Sequence, residues 1–255
     1  MQQSGRTVSN CRIDMVAPCE ILEWDSSFFG RRIARLGVRR LTAAILTNLD
    51  DWVVKNQIEC IYFLCQAMDS ESIALAEEHR FRLADIRVTL ETRLNADQVH
   101  ACENLLVRRA SAGQMGALKA IARLSHKETR FYHDPHFQQS RCDALYETWI
   151  EKSCNGYADM VYTVELGEIV AGYITCHLDN ETAGHIGLLA VSEIARGKGV
   201  GSALIHAAMN WFAGQQRSLV TVVTQGRNIG AQRLYQRCEF VTRSVELWYH
   251  YWPTA

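Results

Sequence analysis

The stretch Arg196-Gly197-Lys198-Gly199-Val200-Gly201 offers the plainest chemistry in the chain. It follows an apolar strand pattern and opens an amphipathic helical one. Glycines there let several backbone N–H groups face one point, and the helix dipole adds partial positive charge at the same place. The physical product is a cradle for a diphosphate, although the glycines alone fit a flexible strand-to-helix turn equally well. Two other phosphate loops are excluded by spacing. A Walker A loop requires G-x-x-x-x-G-K-[ST], which does not occur. A dinucleotide fingerprint requires G-x-G-x-x-G, but its last place is Ser202 counting from Gly197 and Leu204 counting from Gly199. The acidic residue that should follow such a fingerprint is missing too, because 216–223 carries no Asp or Glu.

Histidines supply the other candidate chemistry. His177 and His185 fall at the end of one strand pattern and the start of the next, and the ordinary structural role is preferred for each. His126, His133, Asp134 and His136 invite a metal reading, but their spacing fits no zinc motif. A loop lining a substrate pocket is the better reading, and no metal is expected.

The elements that must position these residues can be read from periodicity. Met160–Leu166 and Ile169–His177 alternate as strands joined at Gly167-Glu168, a hairpin, and Gly184–Val191 is an apolar strand. Val200–Phe212 carries Val200, Ala203, Leu204, Ala207 and Trp211 on one helical face. Leu219–Thr224 reads as a strand, Ile229–Cys238 as a helix, and Val245–Tyr251 as an alternating strand. Upstream, Ser111 with Gln114 predicts a capped helix through Met115, Leu118, Ile121 and Ala122, and a second helix follows Ser140. Before these come a helix with Leu41, Ala44, Ile45, Leu49 and Trp52 inward, the strand Ile61–Leu64, a helix over Ser70–Arg80, and a strand with Ile86, Val88 and Leu90. A polar break near Asn95–Asn104 divides the chain into 1–103, a small αβ domain, and 104–255. Phe81–Glu91 resembles Phe240–His250, each after a strand and a short helix. A reduced internal copy and a chance likeness of two short units fit that observation equally. The order of elements predicts an α/β (α+β) chain with a central mixed, partly antiparallel sheet flanked by helices.

Bulk composition bounds the partners. The 255 residues are 48% hydrophobic and 22% charged, values of an ordinary globular chain. The net charge of -1 argues against nucleic acid or a membrane surface as the main partner. Only five lysines accompany the arginines, which suits bidentate phosphate contacts or simply a GC-rich genome. Nine scattered cysteines without a CxxC read as free, reduced thiols. No apolar run reaches the roughly 20 residues of a membrane span. Met1–Gly5 lacks an apolar segment, so no signal peptide and a cytoplasmic location are expected.

R-x-x-G-x-G at 196–201 resembles the pyrophosphate motif of GNAT N-acetyltransferases, and Asn228-Ile229-Gly230-Ala231-Gln232-Arg233-Leu234-Tyr235 is similar to the family's N-x-x-A-x-x-L-Y. Glu239-Phe240 stands where the family has Gly-Phe, which puts the shape of that helix end in doubt. Leu22-Glu23-Trp24-Asp25, Phe28-Phe29-Gly30, Arg130-Phe131-Tyr132 and Ile186-Gly187-Leu188-Leu189-Ala190 resemble one subfamily, the TDP-fucosamine (dTDP-4-amino-4,6-dideoxygalactose) N-acetyltransferases of bacterial surface-polysaccharide synthesis.

The resemblance implies a GNAT fold and acetyl-CoA as cosubstrate, with a nucleotide-linked amino sugar as acceptor. It maps the carbonyl-polarising bulge to about Leu189-Ala190 and the pantetheine arm to a gap beside Leu189, Ala190 and Val191. The cradle becomes Arg196, Gly197, Lys198, Gly199, Val200, Gly201 and Ser202, with Asn228, Ala231 and Leu234 completing the cofactor side. Tyr235 becomes the general acid for the departing thiolate, and Arg130 and Tyr132 the acceptor contacts. A homodimer is compatible with the resemblance. The rival readings are a GNAT enzyme for a protein N-terminus, polyamine or aminoglycoside, and a CoA-binding sensor without turnover. Tyr235 counts against the sensor, which has no need of an acid.

Overall fold

A computed structural model of the chain describes residues 18–94 and 105–253. The break anticipated at 95–104 lies outside the described residues. The first stretch runs β1 (Cys19–Ile21), α1 (Glu23–Phe29), β2 (Ile33–Leu36), α2 (Ala43–Lys55), β3 (Cys60–Gln66), α3 (Ser70–Glu78) and β4 (Arg82–Arg93). The second runs β5 (Val107–Arg109), α4 (Met115–Ser125), α5 (Arg130–His133), α6 (Gln139–Lys152), β6 (Met160–Leu166), β7 (Ile169–Leu178), β8 (Ala183–Val191), α7 (Val200–Gly214), β9 (Leu219–Gln225), α8 (Ile229–Arg237) and β10 (Val241–Tyr251). The capping box at Ser111 is present, but it opens a 3-10 turn at Ala112–Gln114 that leads into α4. Sequence reading missed β1, α1, β2 and α5, which are too short for periodicity to register, and α5 falls within the stretch expected as a loop.

Among the described residues the ten strands form one mixed sheet in the order β1-β2-β3-β10-β4-β9-β8-β7-β6-β5. Only β2·β3 and β8·β9 are parallel. Alternation along the strands sorts the core onto two faces. Ile61, Phe63 and Cys65 pack with α2 and α3, and Ile174, Cys176, Ile186 and Val222 with α7 and α8. On the opposite face Cys60, Tyr62, Tyr173 and Ala190 pack with α1, α4, α5 and α6.

The likeness of Phe81–Glu91 to Phe240–His250 has a geometric counterpart. Cys60 and Leu219 open β3 and β9, Ser70 and Ile229 open α3 and α8, and Arg82 and Val241 open β4 and β10, each pair 159 residues apart. The same offset joins the four non-glycine residues with positive φ among the described residues, Gln57 (54°) with Gln216 (60°) and Arg80 (63°) with Glu239 (64°). Each sits just past a helix and turns the chain so that the next amide reaches back, as Ile58, Phe81, Arg217 and Phe240 do to Val53, Ala76, Phe212 and Tyr235 at 2.8–3.0 Å. Glu239 therefore takes the left-handed conformation that glycine would take, and the helix end keeps that shape.

The final strands are exchanged between the two units. β10 lies between β3 and β4, and β4 between β10 and β9. Arg87 faces Glu246, its own counterpart 159 residues on, across a pseudo-twofold axis, and the two form an ion pair at 3.2 Å.

Candidate active site

The parallel pairing of β8 with β9 stops at Ile186↔Val222, although both strands continue. β9 stays paired to β4 as far as Gln225, so it is β8 that departs. The departure follows a bulge in which Gly187 and Leu188 together oppose Thr175, whose Oγ1 accepts the Leu188 N–H at 2.8 Å. This places the bulge two residues before the expected position, because a threonine hydroxyl substitutes for a ladder carbonyl there. Beyond it Ser192 N–H donates to Ala171 O at 2.8 Å, which sets the alternation of the ladder. By that alternation Ala190 N–H faces β7, while the N–H groups of Leu189 and Val191 face the gap.

The start of α7 lies beside this part of β8: a Cβ on Gly172 would meet both Ala190 O at 2.7 Å and Val200 Cγ1 at 3.1 Å. Gly197 and Gly199 both have positive φ, 76° and 78°, and Gly199 caps α7 without a side chain. The first helical amides at Val200, Gly201 and Ser202 thus lack an intrahelical acceptor, and the first bond closes from Ala203 N–H to Gly199 O at 3.0 Å. Arg196 and Lys198 are exposed beside them. Gly201 has a separate reason: a Cβ there would lie 2.8 Å from Leu234 Cδ2, so its absence lets α7 and α8 pack closely. Asn228 caps α8 by accepting the Ala231 N–H at 3.1 Å. The two sequence motifs are therefore neighbours, joined through the Gly201–Leu234 contact. Tyr235 follows Leu234 and is buried in the α7–α8 layer, its ring 5.8 Å from Phe240. Burial holds its hydroxyl well above the usual tyrosine range and keeps it protonated.

The opposite face carries the other predicted residues. Arg130 opens α5 with its guanidinium between the rings of Tyr62 and Trp248, 4.1 Å from each centroid. Its Nη1 and the Tyr62 hydroxyl are buried without a hydrogen-bond partner. Tyr132 points elsewhere, donating to Asp143 Oδ1 at 2.7 Å beside Lys127. Two of the subfamily words meet in space, Phe29 stacking on Phe131 at 5.2 Å.

The histidine cluster divides, with His136 held on Asp134 and His126 apart. His126 is half-buried, stacked on Tyr146, contacts the Tyr173 hydroxyl at 3.0 Å, and is pushed down to about 4 by desolvation. Asp134 accepts from His250 Nδ1 at 2.6 Å, Trp252 Nε1 at 2.9 Å and His136 N–H at 3.0 Å. Burial raises that carboxyl, but these bonds outweigh it and leave it below its ordinary value. Among the described residues no group of three His, Cys, Asp or Glu could hold a metal ion. Sequence reading missed Asp85, a buried residue of β4 that burial lifts to about 6 despite its own-strand bond to Ile86 N–H. Its place in the alternation opposite Ile86 and Val88 was the available signal.

A parted pair of parallel strands beside a helix start without a side-chain cap can hold an extended arm with a diphosphate at its end. The comparisons agree with that geometry. Residues 119–240 match the model of the Acetyltransferase (GNAT) family. Streptothricin acetyltransferase A of Bacillus subtilis is 30% identical over 132 residues, 51% of this chain and 73% of that protein. The chain belongs to the GNAT acetyltransferase family. Within it, the dTDP-fucosamine acetyltransferase of Escherichia coli O6:H1 is 25% identical over 235 residues, 91% of this chain and 97% of that protein. The spore coat polysaccharide biosynthesis protein SpsD of Bacillus subtilis is 28% identical over 141 residues, which is 55% of this chain and about half (48%) of that protein. A GCN5-related N-acetyltransferase from Sphaerobacter thermophilus shares the fold at 14% identity and TM-score 0.63, over 91% of this chain and 75% of that one. Among the described residues no helix is long and apolar enough to cross a membrane.

Proposed function

We propose that this GNAT protein moves the acetyl group of acetyl-CoA to the 4-amino group of a dTDP-linked 4-amino-4,6-dideoxyhexose, dTDP-fucosamine first, in bacterial surface-polysaccharide synthesis. The observation that carries acetyl-CoA binding is the gap between β8 and β9 beside the free amides of α7. The acceptor rests on the similarity to dTDP-fucosamine acetyltransferase along nearly the whole of both chains.

In this reading the pantetheine arm pairs with the Leu189 and Val191 edge of β8, and the diphosphate sits on the amides of Val200, Gly201 and Ser202 beside Arg196 and Lys198. An amide on that edge polarises the acetyl carbonyl, a preorganised donor where negative charge develops. The neutral amine attacks, the C–N bond forms as the C–S bond breaks, and the thiolate takes a proton from Tyr235. Asn228, Ala231 and Leu234 hold α8 in place for that transfer. Arg130 meets the acceptor, and Tyr132 reaches it only by leaving Asp143, while the smaller αβ domain and the acetyltransferase domain, divided at 103/104, share one sheet through the exchange of β4 and β10. The reaction runs in the cytoplasm, and two copies of the chain can associate.

The test compares kcat/KM by thiol release for the dTDP-linked sugar, the free amino sugar, and a lysine peptide or polyamine. The linked sugar should exceed the free sugar in turnover as well as affinity, because remote binding energy positions the amine. Preference for the peptide or polyamine overturns the acceptor and leaves acetyl transfer standing.

A further inference from the structure

Resting on the acetyl-transfer reading, we propose that His185, oriented by Asp179 and backed by His177, is the base that takes the proton from the acceptor amine. His185 lies one residue before Ile186↔Val222, the last rung before β8 leaves β9. Its Nδ1 meets Asp179 Oδ1 at 2.6 Å, and its side chain is 40% exposed. A carboxylate on Nδ1 fixes the tautomer that leaves Nε2 with its lone pair. His177 stacks flat against it, centroids 4.7 Å apart and planes 5° from parallel, with Tyr157 edge-on behind at 5.4 Å.

The bulge and this pair are built together. A Cβ on Gly187 would lie 2.5 Å from His177 Nε2 and 2.8 Å from Thr175 Oγ1, so the backbone that diverges at the gap rests on the imidazole edge. The face matters equally. His177 and His185 are opposed across β7·β8 on the side away from Cys176 and Ile186, which pack with α7. Tyr235 belongs to the α7–α8 layer. Base and acid thus stand on opposite faces of the gap, so an amine arriving from one side loses its proton there while the thiolate is protonated on the other. The titratable and charged groups around the pair are Asp179, Asp159, Tyr157 and, across β9 in the row of Thr221, Glu91 with its partner Arg243 at 3.1 Å. Burial, then the neighbouring His185, holds His177 below its ordinary value, which keeps the backing ring neutral.

The experiment measures kcat/KM against pH for the wild type, His185→Gln and Asp179→Asn with the best amine of the thiol-release panel, and CoA affinity by calorimetry for each. Both amine and base must be unprotonated, so wild-type activity should fall with a slope of two at low pH. His185→Gln should lose about 10²-fold or more, fall with a slope of one, keep CoA affinity, and recover in part with added imidazole. Asp179→Asn should lose less, chiefly in kcat. His185→Gln within about twofold of wild type, or with the slope of two retained, overturns the assignment while acetyl transfer stands. A wild type that binds no CoA and releases no thiol with any amine overturns both readings.

Discussion

Residues 43–93 and 202–251 repeat one arrangement of helix, strand, helix and strand at a fixed offset, yet the two helix starts have opposite chemistry. Ahead of α2 stand Arg40 and Thr42, at the places of Gly199 and Gly201. Thr42 caps α2 with its own oxygen, accepting from Ile45 N–H. The Leu41 N–H is taken by Ser72 Oγ at 2.8 Å, and Arg40 is tied to Glu71 at 2.6 Å. The first unit thus ties up its Leu41 and Ile45 amides within itself, whereas Gly199 leaves those of Val200, Gly201 and Ser202 free. At the place of Tyr235 the first unit has Ala76, buried and inert. One backbone plan supports a ligand site or a sealed core depending on a few side chains at the loop and at one helical position.

Breaking that difference at the acid should have the largest effect. Tyr235→Phe keeps the ring packed against Phe240 and removes the hydroxyl alone, so turnover should fall roughly 10²–10⁴-fold with CoA affinity unchanged. Steady-state thiol release with calorimetry checks this, and turnover within twofold of wild type would make Tyr235 as structural as Ala76. A smaller effect follows from the exchanged strands. Leu90 is fully buried on β4 opposite Val222, and Leu90→Ala should cost about 2–5 kcal/mol. Because β4 and β10 each belong to the other unit's sheet, denaturation followed by near-UV and far-UV signals should show one coincident transition at lower denaturant. Two separated transitions would mean that the units unfold independently.

Much of this was legible in the sequence. The strand and helix patterns from Met160 onward place every element of the gap within a few residues, since long apolar periods survive tertiary context. The two motifs were legible because glycines with positive φ and an Asn cap have few substitutes. Strand exchange was not, because Phe81–Glu91 and Phe240–His250 reveal likeness but not which strand each one pairs with. The bulge was placed two residues late since Thr175, which creates it, lies on the neighbouring strand. The Asp179–His185 pair is joined across a hairpin turn, and a spacing of six residues has no signature of its own. Glu239 shows the limit from the other side: its left-handed conformation is imposed by the helix end that glycine usually serves.

The central claim is one acetyl-CoA site per chain, at α7 and not at α2. Calorimetric titration of CoA into the wild type and Gly199→Val tests it most directly. Valine at φ 78° puts a branched side chain where the backbone should approach the diphosphate. The wild type should bind one CoA per chain, and Gly199→Val should bind none measurably while its far-UV spectrum is retained. A stoichiometry of two, or unchanged affinity in Gly199→Val, would contradict the account.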